Sequence, residues 1–429
     1  MNANRNPVLV IGGGIAGLTT AVEAAEAGCE VILAEKGPSL GGRVAQMHQY
    51  FPKLCPPACG LEINYKRLRS NPRISVLTLA EVESIAGAPG DFTVTLRLAP
   101  RHVTEACTAC GACAKVCPAE RRDEFNFGLS KTRAAYLPHP MAFPELYAID
   151  RAACPPGCQA CADACAYGAV KLDQTQERRT FHVAAVVAAT GWKPYDATRL
   201  ENLGFGKYPN VVTNVILERL AASEGPTGGR ILRPSDGQPP QSVIFVQCAG
   251  SRDENHLPYC SAVCCAASLK QATYLRAQCP DAQITIFYID IRTPGRLEDF
   301  YVAAAAQGRV ELVKGKAAKI EEEATSRDLL VTAEDALSGK KVTRRAALVV
   351  LATGIVPQTE ELPPGFALDE FRFLSPPNGK AGLYAAGCAR QPGEVSATVQ
   401  DATGAALKAL QCVARSARHD PSRDQERAS

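Results

Sequence analysis

Short apolar runs recur along the chain, and many of them end at a glycine. The first run, residues 8–11, is followed by the glycine-rich stretch 12–17 and then by small residues up to Ala27. Short apolar runs bounded by turn residues are typical of strands, and a longer run of small and apolar residues is typical of a packed helix. The start of the chain is therefore predicted to form a strand, a tight turn and a helix.

The same patterns predict strands and helices along the rest of the chain. Residues 92–98 alternate between apolar and polar side chains, which indicates a strand with one buried face. The other predicted strands are residues 30–34, 181–189, 243–247, 284–290 and 347–351, and the other predicted helices are residues 264–277 and 396–414. Strands that alternate with helices in this way predict an α/β fold.

The glycine-rich turn carries the first candidate chemistry. It reads Gly-Gly-Gly-Ile-Ala-Gly, the G-x-G-x-x-G pattern, between a strand and a helix. Gly12 permits the turn, Gly14 lets the backbone approach a pyrophosphate, and Gly17 lets the helix pack on the strand. Glu35, at the end of the second strand, is placed to accept a hydrogen bond from a ribose hydroxyl. Because residues 41–43 read Gly-Gly-Arg, as in two-dinucleotide-binding flavoproteins, FAD is favoured over NAD as the ligand.

Two later turns predict a flavin domain that is divided in sequence. Residues 189–191 and 352–354 both read Ala-Thr-Gly after an apolar strand, and such turns mark where the chain leaves and re-enters the FAD domain of this class. Near the C-terminus, residues 382–387 resemble the segment that closes over the flavin, with Cys388 where the class usually has an aspartate. The expected cofactor contacts are Gly12, Gly14, Ile15, Ala16, Gly17, Glu35, Lys36, Gly42, Arg43, Ala189, Thr190, Gly191, Thr353, Gly354, Gly387 and Cys388.

Composition sets the broad class and draws attention to cysteine. A chain of 429 residues is long enough for two or three domains, and a net charge of +3 with interspersed acids and bases forms no basic stripe for nucleic acid. No apolar run reaches the roughly 18 residues of a membrane helix, so any membrane link is expected through a partner. The 18 cysteines, without a signal peptide, are expected to be metal or redox ligands in a reducing cytoplasm.

Eight cysteines form two runs with ferredoxin-like spacing. The first run is Cys107, Cys110, Cys113 and Cys117, before Pro118, and the second is Cys154, Cys158, Cys161 and Cys165. In bacterial ferredoxins the fourth cysteine of each run ligates the other cluster. The first three cysteines of the first run and the last of the second are therefore expected to hold one [4Fe-4S] cluster, and the remaining four the other. The second run departs from the pattern at its first spacing and lacks the final proline. A zinc site or disulfides are the alternatives.

This iron–sulfur module lies between two predicted strands of the flavin domain, which indicates an insertion at a hairpin. The ends of a ferredoxin module lie close together, so a hairpin tip can accept it without disturbing the sheet. Residues 118–153 are longer than the link inside a simple ferredoxin and are expected to be an ordered extension that covers the clusters. The alternative is a catalytic patch formed by Lys131, Arg133, Tyr136 and His139.

A third cysteine group falls in the expected middle domain. The strand at 243–247 ends where a nicotinamide-binding domain would carry a second glycine fingerprint, but residues 248–252 read Cys-Ala-Gly-Ser-Arg. NAD(P)H is therefore not expected to bind there. Spacing alone leaves open whether the nearby cysteines hold a cluster or include a redox-active thiol pair. These cysteines are Cys248, Cys260, Cys264 and Cys265.

The other cysteines have less distinctive surroundings. Cys55 and Cys59 form a C-x3-C pattern after the flavin diphosphate motif. Structural thiols in a loop, a ligand pair shared with a partner and a redox dithiol all remain open for this pair. Cys29, Cys279 and Cys412 do not follow a ligand-like spacing in the sequence and are interpreted as small packing residues.

Together these features resemble the A subunit of heterodisulfide reductases over nearly the whole chain. The resemblance rests on the two-part flavin fold, the inserted ferredoxin runs, residues 248–252, and Tyr-Cys-Ser-Ala-Val-Cys-Cys at 259–265. It implies that the third cysteine group holds the unusual [4Fe-4S] cluster of that family. On this resemblance, the chain is expected to lack the extra N-terminal domain and the second ferredoxin domain of the large methanogen-type subunits. Residues 51–64 look most like the A subunit of the quinone-interacting membrane-bound oxidoreductase.

The expected fold is a Rossmann-type, thioredoxin-reductase-like flavoprotein of two dinucleotide-binding domains with an inserted ferredoxin-like module. The FAD domain is expected in three parts, 1–100, 173–235 and 346–415, with the module at 101–172, a degenerate NAD-binding-like domain at 236–345 and a flexible tail at 416–429.

The resemblance implies an electron-relay flavoprotein with one FAD and three [4Fe-4S] clusters, which the protein holds in order. The expected partners are adenylylsulfate reductase, a second flavin and iron–sulfur protein of the same complex, and a membrane protein that binds quinone. They would hold the cytoplasmic protein at the inner face of the cytoplasmic membrane. One alternative is the A subunit of a sulfane-sulfur-oxidising heterodisulfide reductase-like complex. The other is a stand-alone NAD(P)H-dependent disulfide reductase with Cys260 and Cys264 as its dithiol.

Overall fold

The computed structural model describes residues 6–306, 308–375 and 382–416, so most of the predicted tail lies outside the described residues. The described part contains two five-stranded parallel sheets, each accompanied by a three-stranded antiparallel sheet. The α/β fold is therefore confirmed. None of the helices in these three ranges is long and apolar enough to cross a membrane.

The elements are numbered in chain order. The strands are β1 (Val8–Ile11), β2 (Val31–Glu35), β3 (Ile74–Thr78), β4 (Ala80–Ala88), β5 (Asp91–Leu98), β6 (Glu120–Arg122), β7 (Lys131–Arg133), β8 (Ala135–Tyr136), β9 (Ala148–Ile149), β10 (Glu177–Val183), β11 (Ala185–Ala188), β12 (Trp192–Pro194), β13 (Val211–Thr213), β14 (Ser242–Ala249), β15 (Gln283–Tyr288), β16 (Val310–Lys314), β17 (Ala317–Glu322), β18 (Leu329–Asp335), β19 (Lys340–Ala346), β20 (Leu348–Thr353), β21 (Ile355–Pro357), β22 (Ala367–Leu368), β23 (Leu374–Ser375) and β24 (Leu383–Ala385). The α-helices are α1 (Ile15–Glu26), α2 (Gly42–Ala45), α3 (Pro57–Ser70), α4 (Ala112–Val116), α5 (Ala160–Asp163), α6 (Asn214–Ala221), α7 (Cys264–Gln278), α8 (Leu297–Ala305) and α9 (Val395–Ser416).

The first parallel sheet has the strand order β24-β11-β1-β2-β3. Its central strand β1 pairs with β11 and β2, so that Leu9 lies beside Val186 and Ile32. One face packs against α1, α3 and α9, and the other packs against the antiparallel sheet β10-β5-β4. Both faces are covered, which explains why β1 is apolar at every position.

The predicted strand 181–189 is corrected to two strands in different sheets. β10 ends at Val183 and pairs antiparallel with β5, whereas β11 begins at Ala185 and pairs parallel with β1. The chain thus passes from one sheet to the other at Ala184. An uninterrupted apolar run cannot reveal this change, because β11 is buried on both sides and the end of β10 is buried too.

The insertion leaves the sheet after β5 and returns to it at β10, and these two strands pair from Leu98 with Glu177 to Phe92 with Val183. Between them, a separate small core contains Val103, Ala134 and Ile149 together with cysteines of both ferredoxin-like runs. The insertion therefore occupies the end of an antiparallel strand pair and leaves the pairing of that sheet continuous.

The second parallel sheet has the order β13-β20-β14-β15-β16. It packs against α6 and α7 on one face and against the antiparallel sheet β17-β18-β19 on the other. Because β13 and β20 pair in this sheet, it extends beyond the predicted middle domain, 236–345, on both sides. A short antiparallel pair, β12 with β21, follows the two Ala-Thr-Gly turns.

Candidate functional site

A cavity of about 1350 Å³ lies at the carboxyl ends of β1, β2 and β11. This is the edge of an open α/β sheet at which ligands bind. Its wall includes Gly12 after β1, Glu35 at the end of β2, and Thr190 after β11. Eleven of the expected cofactor contacts lie on the wall: Gly12, Gly14, Ile15, Ala16, Glu35, Gly42, Arg43, Ala189, Thr190, Gly191 and Cys388.

The glycines of the turn differ in how much space the protein leaves around them. A Cβ atom on Gly17 would lie 1.7 Å from the carbonyl oxygen of Gly12, and one on Gly12 would lie 2.4 Å from that of Ala189. A side chain at Gly12 or Gly17 would therefore collide with the backbone of the protein itself, whether or not a ligand is bound. Gly14 differs, because its φ is −74° and a Cβ atom there would meet nothing closer than 3.8 Å. The protein tolerates a methyl group at Gly14, so the space in front of it suits the close approach of a ligand.

Two helices begin at this cavity and favour a negatively charged ligand. α1 starts at Ile15, directly after the glycine turn, and α9 starts at Val395, and both residues lie on the cavity wall. A helix N-terminus carries unpaired N–H groups and a partial positive charge. The cavity is therefore suited to the diphosphate of a dinucleotide.

Buried polar atoms on the wall have no partner among the described residues. They are Thr190 Oγ1, His139 Nδ1 and Gln271 Oε1. Burying a polar atom without a hydrogen bond costs about 1–3 kcal/mol, so such atoms point to a missing polar ligand or to water. Burial also lowers the pKa of His139 to about 4, which leaves its ring uncharged at neutral pH. These atoms fit a large polar cofactor such as FAD.

Two charged residues are fixed by contacts of their own. The Glu35 carboxylate accepts hydrogen bonds from the N–H groups of Gly13 and Gly37, each at 2.6 Å. Burial raises its pKa, although these two bonds oppose the shift. Arg43 donates to the Trp192 carbonyl at 3.1 Å, and burial lowers its pKa. Both side chains are thus held in place at the cavity wall by the protein.

Five expected contacts do not reach the cavity wall. Gly17 packs against Gly12, and a Cβ atom on Gly387 would lie 2.7 Å from that of Ala16. Lys36 lies at the surface, where its Nζ is 2.6 Å from Glu361. Thr353 and Gly354 lie at the end of β20, beside the third cysteine group, and the Cys264 thiol donates to the Thr353 carbonyl at 3.6 Å. The two Ala-Thr-Gly turns therefore face different sites.

The insertion also forms part of the cavity wall, a role that sequence analysis missed. Phe125 and His139 stack with ring centroids 4.8 Å apart on this wall. The His139 Nε2 lies 3.1 Å from Ser39 Oγ, and Arg219 donates to Asn126 Oδ1 at 2.8 Å. The segment therefore bridges the two parallel-sheet domains while it lines the cavity. The sequence of this segment shows only its composition. Aromatic residues among prolines do not indicate which surface of the protein the segment covers.

A buried ion pair also lies on the cavity wall. Lys270 on α7 and Glu218 on α6 are 3.0 Å apart, and both side chains are almost fully buried. Glu218 also accepts hydrogen bonds from the backbone of His48 at 3.0 Å and from Gln271 at 2.8 Å. This network connects the second sheet to the loop after α2, since Lys270 also donates to the Gln49 carbonyl.

The two ferredoxin-like runs come together in the core of the insertion, where α4 packs near α5. Burial raises the pKa of Cys161, and the neighbouring thiols of Cys154, Cys117 and Cys158 contribute. These four are the expected ligands of one cluster. The pKa of Tyr147 is raised by burial and by three members of the other set, Cys113, Cys107 and Cys110.

Cys165, the expected fourth member of that set, lies in a ring of backbone donors. Burial alone would raise its pKa, but the N–H groups of residues 167–170 lower it. One of them, from Ala169, lies 3.3 Å from the sulfur. Backbone N–H groups that converge on a sulfur favour its thiolate form, which is the form that ligates metals.

The third cysteine group is buried at the ends of β14 and β20 and the start of α7. Burial is the main cause that raises the pKa of Cys248 to about 11, and Cys265 and Cys260 contribute. Burial likewise raises the pKa of Cys264, where the thiols of Cys265, Cys248 and Cys260 contribute. The four thiols are therefore close neighbours, and their role as ligands of one cluster stays a prediction.

Positive charge and backbone strain surround this third group. Arg252 contacts the Cys248 thiol and Arg292 contacts the Cys260 thiol, and both arginines pair with Asp290. Cys248, Arg252 and Ala262 have φ values of 56°, 56° and 60°, which are unusual for residues other than glycine. Strained positions of this kind cluster at functional sites.

In the described ranges, no group of three or more His, Cys, Asp or Glu residues is arranged around a single metal ion. A [4Fe-4S] cluster has a different requirement, because each of its irons takes one thiolate and the ligands stand farther apart.

Two of the cysteines interpreted as packing residues are buried or half-buried: the Cys412 thiol donates to the Ala184 carbonyl at 3.4 Å, and burial raises the pKa of Cys279.

Neither NADH nor NADPH is expected to reduce a flavin bound in the cavity at a useful rate. The turn after β14 lacks the glycine fingerprint, and the Tyr195 ring occupies the space in front of Gly250, where a Cβ atom would lie 2.5 Å from that ring. Tyr195 is held by a 2.7 Å contact between its hydroxyl and His256. Stopped-flow absorption of the flavin band, after mixing with either nucleotide, measures the rate. Bleaching within a second would contradict the expectation and favour a nucleotide-dependent disulfide reductase.

Comparisons with family models match two parts of the chain. A model described as an NAD(P)-binding Rossmann-like domain matches residues 10–61, and one described as a 4Fe-4S binding domain matches residues 100–120. The second match contains the first ferredoxin-like cysteine run.

Curated relatives match nearly the whole chain. It is 40% identical over 416 residues to the iron-sulfur A subunit of the CoB--CoM heterodisulfide reductase from Methanocaldococcus jannaschii, a match that covers 93% of this chain and 63% of that relative. It is 39% identical over 421 residues to an iron-sulfur A subunit of the CoB--CoM heterodisulfide reductase from Methanopyrus kandleri, which covers 95% of this chain and 64% of the relative. The chain therefore spans less than two thirds of the length of these relatives.

Solved structures resemble the fold. The thioredoxin reductase of Lactococcus lactis aligns with a TM-score of 0.55 at 13% identity, covering 96% of this chain and all of that one. The thioredoxin reductase of T. acidophilum aligns with a TM-score of 0.52 at 15% identity, covering 95% of this chain and 98% of that one. The thioredoxin-reductase-like arrangement of two dinucleotide-binding domains is thus confirmed.

Proposed function

Because the chain belongs to the family of heterodisulfide reductase A subunits over the region that it shares with them, we propose that it is an electron-transfer subunit that arranges FAD and [4Fe-4S] clusters in a larger redox complex. The family is one of oxidoreductases. On this proposal the chain has no substrate site of its own. The chain passes electrons between its partner proteins.

The shared cavity is the observation that carries this proposal. Its wall contains Gly12 and Gly14 of the glycine turn, residues of the insertion beginning at Arg121, and four residues of the second sheet domain. These four are Ala262, Val263, Ala266 and Ala267. Arg121 follows Cys117 by four positions, and Ala262 and Val263 lie between Cys260 and Cys264. A cofactor in the cavity would therefore adjoin segments that carry cysteines of both the insertion and the third group.

FAD suits this position because it exchanges electrons in pairs, whereas a [4Fe-4S] cluster exchanges them singly. The residues proposed to hold FAD are those on the cavity wall. Gly14 would let the diphosphate approach, the N-termini of α1 and α9 would face its charge, and Thr190 would supply a buried hydroxyl. The polypeptide contributes position and electrostatics, while the cofactors carry the redox chemistry.

Three clusters are proposed, one for each set of four cysteines. In the insertion, the sets are the first three cysteines of one run with the last of the other, and the remaining four. The contacts among Cys117, Cys154, Cys158 and Cys161 support this division. At the third site, Arg252 and Arg292 offset the negative charge of thiolate ligands, which favours the more reduced state of a cluster there.

The specific pathway proposed is electron transfer between the membrane quinone pool and adenylylsulfate reductase. The support is the stretch 51–64, which resembles the A subunit of the quinone-interacting membrane-bound oxidoreductase. On this proposal the partners are a second flavin and iron–sulfur protein of the complex and a membrane protein that binds quinone. They would hold the chain at the inner face of the cytoplasmic membrane.

Replacement of Cys110 by serine tests the relay. Cys110 is exposed and belongs to the insertion, so we expect the variant to lose one cluster, to keep its FAD and to pass electrons to its partner subunits more slowly. Iron and flavin analysis gives the cofactor content, and stopped-flow spectra of the assembled complex give the transfer rate. Cys279→Ser, at a half-buried cysteine outside the three groups, is the matched control.

Two results would count against this scheme. An unchanged transfer rate in a Cys110→Ser complex that lacks the cluster would show that electrons bypass the insertion. Loss of FAD from the same variant would show that the insertion and the cavity form one folding unit, since the insertion supplies part of the cavity wall.

A further inference from the structure

Arg219 is a buried arginine that connects three parts of the chain. It lies on α6 and is 2% exposed. Its guanidinium donates hydrogen bonds to Asn126 Oδ1 at 2.8 Å, to the Gln46 carbonyl at 3.3 Å and to the Glu224 carbonyl at 3.1 Å. All three acceptors are uncharged, so these contacts offset the cost of burying the charge only in part. A group buried at such a cost is expected to fix the relative positions of the parts that it connects.

The part of the insertion that Arg219 contacts is a turn at the tip of a hairpin. β6 pairs antiparallel with β7, and residues 123–130, which we call the insertion turn, connect the two strands. Phe125, Asn126 and Phe127 in this turn line the large cavity, whereas Leu129 is exposed to solvent. The insertion turn thus separates the cavity from solvent.

Hydrogen bonds inside the insertion turn hold it together. The Asp123 carboxylate accepts from the N–H of Phe125 at 3.1 Å, from the Asn126 amide at 2.7 Å and from the Ser130 hydroxyl at 3.0 Å. The hairpin behind the turn is short, because β6 and β7 have three residues each. The insertion turn is therefore expected to move as one unit about this hairpin.

Arg219 and Gln46, which lie outside the insertion, hold the insertion turn in place. Arg219 bonds to Asn126, and its Cζ lies 4.6 Å from the centre of the Phe125 ring. Gln46 donates to the Phe125 carbonyl at 3.0 Å. Hydrogen bonds from a charged donor are stronger than those from a neutral donor, so Arg219 contributes more than Gln46. These contacts are made by the protein alone.

We propose that Arg219 keeps the insertion turn closed over the cavity and thereby limits how fast FAD enters and leaves. This inference rests on the FAD site proposed above. Because the contacts that close the turn do not involve the cofactor, they oppose its entry and its exit to the same extent. Binding slows where it requires a conformational change, and loops that close over a site control exchange in this way. Arg219 is thus a positioning residue that acts on the cofactor through the insertion turn.

The experiment compares the rates of FAD exchange in the full chain and in Arg219→Met. Methionine fills the buried space but donates no hydrogen bond. We expect the association and dissociation rate constants of FAD both to rise by about 10- to 100-fold, the factor that corresponds to a lost hydrogen bond from a charged donor. The dissociation constant should change much less than either rate. Stopped-flow flavin fluorescence with flavin-free protein gives the association rate, and a chase of radiolabelled FAD with unlabelled FAD gives the dissociation rate.

Arg219→Lys and Arg276→Met complete the set of variants. Lysine keeps the charge but lacks the planar fork of donors, so its exchange rates should lie between those of the unaltered protein and Arg219→Met. Arg276 is a half-buried arginine on α7 that also donates to an uncharged acceptor, the Ala282 carbonyl at 3.2 Å. It makes no part of the cavity wall, so Arg276→Met should exchange FAD as the unaltered protein does.

Unchanged exchange rates in Arg219→Met would overturn the proposal. A faster dissociation with an unchanged association rate would also overturn it, because Arg219 would then stabilise bound FAD and would not control its passage. Failure of the unaltered protein to bind FAD would instead refute the proposed function on which the inference rests.

Hydrogen exchange in the unaltered protein decides the question even where a variant fails to fold. The N–H groups of Phe127 and Gly128 are bonded within the insertion turn, to the carbonyls of Glu124 and Asp123. Bound FAD is expected to slow the exchange of amides in residues 125–129, since the turn closes over the cofactor. Equal exchange of these amides with and without FAD would show that the turn does not cover the cofactor, and the proposal would fall.

Discussion

Replacement of Gly14 by alanine is expected to weaken FAD binding by about 10- to 100-fold while the protein remains folded. The added methyl group meets no protein atom closer than 3.8 Å, and the φ of −74° suits alanine. The methyl group would instead occupy the space that the diphosphate needs. Overpacking of this kind costs about 1–3 kcal/mol, and each 1.4 kcal/mol is about tenfold in affinity. Titration of the apoprotein with FAD, followed by flavin fluorescence, measures the change.

Gly404→Ala is the matched control for this variant. Gly404 lies on the exposed side of α9, and nothing lies within 4 Å of a Cβ atom placed there. Alanine should stabilise the helix by about 0.5–1 kcal/mol and leave FAD affinity unchanged. If Gly14→Ala bound FAD as tightly as the control, the diphosphate would not lie against the glycine turn, and the proposed cofactor position would have to be abandoned.

The glycine turn and its neighbouring strands could be predicted because their signals are local. β1 was predicted with its exact limits, and α9 to within two residues at each end. The apolar strand, the glycine fingerprint and the helix of small residues are adjacent in the sequence. The order of residues therefore predicts the strand, the turn and the helix without knowledge of distant contacts. The same holds for the ferredoxin-like runs, where three cysteines lie within seven positions.

The two Ala-Thr-Gly turns show where local signals fail. Residues 189–191 follow β11 and reach the cavity. Thr353 is the last residue of β20 and Gly354 follows it, and both adjoin the third cysteine group. Both turns have the same sequence and both follow a fully apolar strand. The two turns differ in the sheet to which the preceding strand belongs. That sheet is determined by pairing with strands that are distant in the sequence.

The composition of the cavity wall also depended on tertiary structure. Phe125 and His139 come from the insertion, while Lys270 and Glu218 come from two helices of the second sheet domain. No pattern in the sequence connects these positions, because they meet only when the insertion folds back over both sheet domains. A buried lysine looks like a surface residue in sequence, since its partner lies 52 positions away.

Iron analysis is expected to give about 12 iron atoms per chain, four for each set of cysteines. Replacement of Cys264 by serine should lower this to about eight, because Cys264 is buried beside the other three thiols of the third group. The expected loss is confined to the third site, since the insertion has its own core and its own thiol contacts. Colorimetric iron and acid-labile sulfide assays on anaerobically purified protein measure both values.

Cys412→Ser separates iron ligation from the general effect of replacing a buried cysteine. Cys412 is as deeply buried as Cys264, at 6% exposure against 7%, but its thiol donates to the Ala184 carbonyl in the core of the first sheet domain. A serine hydroxyl can make the same hydrogen bond, so this variant should keep about 12 iron atoms. About eight iron atoms in the unaltered protein and no further loss in Cys264→Ser would show that the third group holds no cluster. In that case a thiol pair within the third group, with Arg252 and Arg292 as its neighbours, becomes the better account of the site.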